Sequence, residues 1–135
     1  MKHFFGILAI AVCATTAAKA QKLSTEKVPA PVKAAFEKLH PHTRVNWEME
    51  KKNYEAGFTA NGKETSEVYN AGGSLLETEV AIKVSELPAS VQSKLKGMKV
   101  AEVAKITKAD GSVNYEAEVK GKDLLFDPNG NPVKP

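Results

Sequence analysis

The chain has 135 residues, with 19 Lys plus Arg against 16 Asp plus Glu and 42% hydrophobic residues. That is enough for one compact core or two small joined ones, and the near balance of charge carries none of the basic stripes that grip a phosphate backbone, so nucleic acid is excluded as an expected partner. Its single cysteine, Cys13, leaves no disulfide to support the fold.

The first segment, residues 1–20, reads as a cleaved secretory signal. Lys2 and His3 precede an apolar run from Phe4 to Val12, and Ala18-Lys19-Ala20 supplies the small-residue cleavage pattern, which makes Gln21 the first mature residue. The apolar run is about half of the roughly 20 residues that a membrane-spanning helix needs, so no span is expected after cleavage. Val12 is a poor residue to precede a lipidated cysteine, so Cys13 is expected to leave with the signal. The mature chain is then 115 residues long and free of cysteine, and the loss of Lys2 and Lys19 leaves 17 basic against 16 acidic groups. The expected location is periplasmic or secreted.

An internal repeat organises the rest of the chain. Val28-Pro29-Ala30-Pro31-Val32 matches Leu87-Pro88-Ala89-Ser90-Val91; Asn53-Tyr54-Glu55-Ala56 matches Asn114-Tyr115-Glu116-Ala117; Tyr69-Asn70-Ala71-Gly72-Gly73 matches Phe126-Asp127-Pro128-Asn129-Gly130. The offsets of 59, 61 and 57 residues differ only by what short hairpin changes would introduce. Residues 21–84 form the first repeat and 85–135 the second, the two making one domain.

Each repeat is expected to open with a half-buried helix of about three turns. Val28, Val32, Ala35, Phe36 and Leu39 share one helical face, as do Leu87, Val91, Leu95 and Met98. Pro29 and Pro88 suit a first helical turn, Ser85 a cap of the second helix, and Pro41 the end of the first. Strand alternation comes next: Val45, Trp47 and Met49; a turn at residues 51–53; Tyr54, Ala56 and Phe58; the hairpin pair Asn61-Gly62; residues 64–69; then, after Gly72-Gly73, Leu76, Thr78, Val80 and Ile82. The second repeat supplies residues 100–108, 113–120 and 123–127, with a turn at Asp110-Gly111. The fold class is α+β, each helix followed by an antiparallel meander, with both helices on one face of a joined, curved sheet.

The repeated Val28-Pro29-Ala30 and Leu87-Pro88-Ala89, with Val45-Asn46-Trp47-Glu48, Tyr54-Glu55-Ala56, Ser74-Leu75-Leu76-Glu77-Thr78-Glu79, Ala104-Lys105-Ile106-Thr107, Tyr115-Glu116-Ala117-Glu118-Val119 and the Asp127-Pro128-Asn129-Gly130 turn, resemble the PepSY-like family of exported β-lactamase-inhibitor-like (BLIP-like) proteins of Bacteroidetes. The likeness spans essentially the whole mature chain, and its motifs are turns and core alternation. It implies tandem α/β repeats, one curved antiparallel sheet and an open concave face of the kind that inhibitors of this shape turn toward an enzyme. It brings no catalytic residues with it.

Residues with catalytic potential are few. His40 and His42 flank Pro41 and are two ligands short of a closed metal site, so exposed loop histidines are expected and no metal or other cofactor. The serines lie in turns, caps or helices without a nucleophile elbow, so no enzyme is expected. Asp127-Pro128-Asn129-Gly130-Asn131 lacks the later acidic ligand of a calcium loop and reads as a β-turn. The acid pairs Glu48 with Glu50, Glu77 with Glu79, and Glu116 with Glu118 each point to one sheet face.

Trp47, Tyr54 and Phe58 are expected under the helices, which leaves Asn46, Glu48, Glu50, Glu55, Thr59, Glu116, Glu118 and Lys120 on the opposite face, with Tyr69 and Tyr115 as anchors if they point outward. The expected function is an exported, non-enzymatic binding module, inhibitor-like in form, that uses this face to bind a periplasmic or extracellular protein. The alternative is a periplasmic carrier of a small ligand, peptide or metal in the same face.

Overall fold

The computed structural model describes residues 21–134. The expected signal segment, residues 1–20, and with it Cys13, lies outside them. Eight strands run in chain order across one antiparallel sheet: β1 (Gln21–Leu23), β2 (Asn46–Glu50), β3 (Asn53–Ala60), β4 (Lys63–Tyr69), β5 (Leu75–Ile82), β6 (Val100–Lys108), β7 (Val113–Val119) and β8 (Lys122–Phe126). Helix α1 (Ala30–Leu39) enters between β1 and β2, and α2 (Ala89–Leu95) between β5 and β6.

Strand register assigns the faces. Ala56 pairs with Glu67, Glu67 with Thr78, Thr78 with Thr107, Val103 with Ala117 and Ala117 with Leu124, so these residues share one face. Helix α1 covers the early strands on that face, where Val32 and Phe36 pack with Trp47, Ala56, Phe58 and Tyr69. Helix α2 covers the late strands on the same face, where Val91 and Leu95 pack with Val103, Ala117 and Phe126. Each fully buried large side chain stabilises the fold by roughly 1.5–3 kcal/mol. The opposite face carries no helix among the described residues.

Two bulges keep apolar residues on the helix side. Between Val100 and Glu102 the register shifts, so Val100 joins the second core while Glu102 stays on the open face opposite Glu118. A shift beyond Val68 similarly lets Leu75 join the first core beside Tyr69.

Each helix is fixed to the sheet by a turn of one design. Asn70 Oδ1 accepts from the N–H groups of Gly72 and Ser74, both at 3.0 Å; Asp127 Oδ1 accepts from those of Asn129 (2.8 Å) and Asn131 (2.9 Å). The glycine within each turn, Gly73 or Gly130, has φ of +85° or +80° and lies against the first turn of a helix. A Cβ on Gly73 would sit 2.5 Å from the Pro31 carbonyl oxygen, and one on Gly130 2.7 Å from that of Ser90.

Several expectations are corrected. Pro29 and Pro88 are the N-cap residues, one position before the helices, because a proline holds its predecessor extended: Val28 has ψ of 131° and Leu87 of 149°. Ser85 therefore lies in the preceding 3-10 turn, Val84–Glu86, and caps nothing. Helix α2 has seven residues, about two turns, because Lys96 turns extended and Gly97 takes φ of +79°, which leaves Met98 exposed. Strand β1 lacks a pattern of its own and pairs with β2 through Gln21–Met49 to Leu23–Trp47.

Candidate functional site

The open face is built from strand residues that alternate away from the helices. Every strand from β2 to β8 contributes a carboxylate to it: Glu48 and Glu50, Glu55, Glu64, Glu77 and Glu79, Glu102, Glu116 and Glu118, and Asp123. Opposed pairs include Glu48 with Glu55 and Glu118 with both Glu102 and Asp123, where like charges face each other directly. Lys22 and Lys108 stand on the same face, opposite Glu48 and Glu77.

The middle of the face is recessed. The hollow has a volume of about 700 Å³, and its lining includes Gly57, Ser66, Ala81 and Ala104, whose small side chains give it depth. Taller groups rise around them: Glu55, Glu64, Glu79, Glu102, Glu116, Glu118 and Asp123, with Arg44 at the rim. Val68, Ala104 and Ile106 belong to this face and are nonetheless buried. The floor, of Gly57, Ser66, Ala81 and Ala104, is thus small and largely apolar, and the walls are acidic.

Crowding of carboxylates at an apolar floor disfavours their charged form. Burial, then the charges of Glu116 and Glu55, push the Glu79 carboxyl up to about 9. Burial and Glu50 push Glu55 to about 7, and burial and Asp123 push Glu116 to about 7. Glu50, Glu77 and Asp123 are raised as well, each chiefly by burial. Glu79 Oε2 is buried and has no hydrogen-bond partner among the described residues. At neutral pH this part of the recess therefore holds protons that an incoming cation would displace.

Of the residues expected on the face, Asn46, Glu55, Thr59, Glu116 and Glu118 line the recess, and Glu48 and Glu50 lie on the same face beside it. Tyr69 is corrected. It is fully buried in the first core on the helix side, 6.5 Å ring to ring from Trp47, with its hydroxyl donating to Glu67 Oε2 at 2.5 Å. Tyr115 is likewise turned inward, against the second core. Lys120 is corrected too: with φ of +53° it occupies the β7–β8 turn before Gly121 and no longer alternates with Glu116 and Glu118. Glu64, Glu79, Glu102 and Asp123 line the recess and were absent from the expected set, although the alternation of Glu77 and Glu79 against Thr78 and Val80 pointed to the same face.

The two histidines part company. His40 Nε2 lies 2.9 Å from Glu67 Oε1, and its ring packs on Phe36 and Phe58 with centroids at 5.1 and 4.4 Å. It is half-buried, which corrects its reading as an exposed loop residue; His42 is exposed. Among the described residues no group of three or more His, Cys, Asp or Glu side chains is arranged to hold a metal ion. Asp127 spends its carboxylate on Asn129 and Asn131 within its own turn. No described helix is long and apolar enough to cross a membrane.

No family model and no curated protein matches the chain. Solved structures of the same fold do. A protein from Bacteroides eggerthii described as periplasmic superposes with a TM-score of 0.71 at 22% identity over 78% of this chain and 86% of its own. A DUF2874 family protein from Bacteroides uniformis gives 0.70 at 23% identity over 78% and 86%. A BLIP-like protein from Bacteroides fragilis gives 0.62 at 23% over 78% and 83%. At these identities the likeness establishes the α+β fold with its open antiparallel sheet.

Proposed function

We propose that this chain is an exported, non-enzymatic binding module that engages a protein partner through the open face of its sheet. The observation that carries the reading is the recess itself: small residues at its floor, carboxylates from six strands around it, and no covering element among the described residues. Carboxylates held above their usual range in a cleft mark sites where charge is kept for a ligand at a cost in stability. The periplasmic description of the Bacteroides eggerthii structure and the BLIP-like description of the Bacteroides fragilis one agree with export and with an inhibitor-like mode. The matched turns of Asn70 and Asp127 and the matched contacts of Gly73 and Gly130 support the division into a first repeat, 21–84, and a second, 85–135, of PepSY-like type.

Capture from a periplasmic extract tests the reading. The immobilised wild-type protein is expected to retain a specific protein that a Glu48→Lys, Glu55→Lys, Glu116→Lys, Glu118→Lys variant, folded by circular dichroism, does not retain. Equal retention by both would move the partner off this face. A recess of about 700 Å³ also falls in the range of small-ligand pockets, which favours the carrier as a second reading. That reading predicts a stabilising compound in a thermal-shift screen where no protein is captured.

A further inference from the structure

The recess narrows the chemistry of its occupant. Its floor offers Ala81 and Ala104 for apolar contact, while Glu79, Glu55 and Glu116 stand in its walls. Glu79 Oε2 is buried from water and has no hydrogen-bond partner among the described residues. Such an orphan is destabilising, and a cation that displaces the proton and donates to the carboxylate would relieve it. Among the described residues, seven carboxylates against the single base Arg44 line the recess, so the complementary donor is a cation. A cation carried on an aliphatic stem would use the floor as well as the walls, its methylenes on Ala81 and Ala104 and its head at Glu79. Resting on the reading of this face as a binding surface, we infer that its occupant is a basic segment of a partner protein that lowers a lysine or arginine side chain into the recess, with the charged head at Glu79.

The burial and neighbouring charges that lift Glu79 toward 9 agree with this, because a cation seated there replaces a proton. A hydrophobic or acidic segment would leave the walls unpaired and repelled. The volume admits more than one side chain, which suits a short loop better than a single amine.

Calorimetric titration with the alternating peptide (Ala-Lys)5, its counterpart (Ala-Glu)5 and spermine decides the matter. The inference predicts that (Ala-Lys)5 binds, that (Ala-Glu)5 does not, and that Glu79→Gln weakens the first by about tenfold, the loss of one charge-assisted contact. Glu26→Gln, which alters an exposed carboxylate in the 3-10 turn Thr25–Lys27, is the control and is expected to change it less than about twofold. Glutamine keeps the shape of the protonated acid, and thermal unfolding of the variant checks its fold. No binding of (Ala-Lys)5, or equal weakening by both substitutions, overturns the inference. Spermine binding in place of the peptide overturns the protein segment in favour of a small amine. If charge reversal abolishes protein capture while (Ala-Lys)5 fails to bind, the open face remains the binding surface and only the basic occupant falls.

Discussion

Glu79 and Glu116 stand on one face of the sheet with only β6 between them, and after burial the Glu116 charge is the largest influence lifting the Glu79 carboxyl to about 9. A carboxyl raised in the folded state from 4.5 stabilises that state while it stays protonated. The contribution is complete below about 4.5 and is lost as pH climbs through about 7, where Glu55 and Glu116 ionise, toward about 9. Stability is therefore expected to rise on acidification from pH 9 to pH 5, by roughly 2 kcal/mol once the openness of the recess is allowed for. Glu79→Gln should flatten the part of that slope above about pH 7 and be more stable than wild type at pH 9. Denaturant unfolding at a series of pH values reads both.

The turns after β4 and β8 make a second prediction. Gly73→Ala and Gly130→Ala must place a Cβ against backbone as well as adopt positive φ, and each is expected to cost roughly 2–4 kcal/mol. Gly62→Ala shares the positive φ, at +73°, but meets open space, and is expected to cost only about 1 kcal/mol. Equal losses at the three sites in chemical denaturation would mean that the helices do not rest on these glycines.

A third concerns the polar group inside the first core. Glu67 is buried, and Tyr69 and His40 each meet one of its oxygens. Tyr69→Phe leaves one buried oxygen unpartnered and is expected to destabilise by about 1–2 kcal/mol. In a His40→Ala background the same change should cost a different amount, by about 0.5–1 kcal/mol, because the three groups share one network. Strict additivity in that double-mutant cycle would show that His40 and Tyr69 bind Glu67 independently.

Much of the fold was legible from alternation. The side chains of Trp47, Ala56 and Phe58 point one way and those of Glu48 and Glu55 the other because strand period is 2, and the pattern in residues 45–59 is clean. Asn61-Gly62 forms its hairpin with φ of +52° and +73°, as that pair of residues favours. Tyr69 was not legible. Glu67-Val68-Tyr69 places an acid on the core side and a valine on the open side, and what permits it is His40, 27 residues from Glu67 in the chain. The recess was hidden for a related reason. Its depth comes from small residues on four strands that only register brings together, and its electrostatics from carboxylates whose spacing across the sheet no single strand displays.

The most direct test of the open face as the binding surface is carboxyl footprinting of the captured complex: carbodiimide-driven labelling read residue by residue by mass spectrometry, with and without the partner. Binding through the open face predicts protection of Glu48, Glu55, Glu116 and Glu118 in the complex, and unchanged labelling of the exposed Glu26 and Glu37, which lie outside the sheet. Protection of Glu26 and Glu37 with the open-face carboxylates still labelled would contradict it.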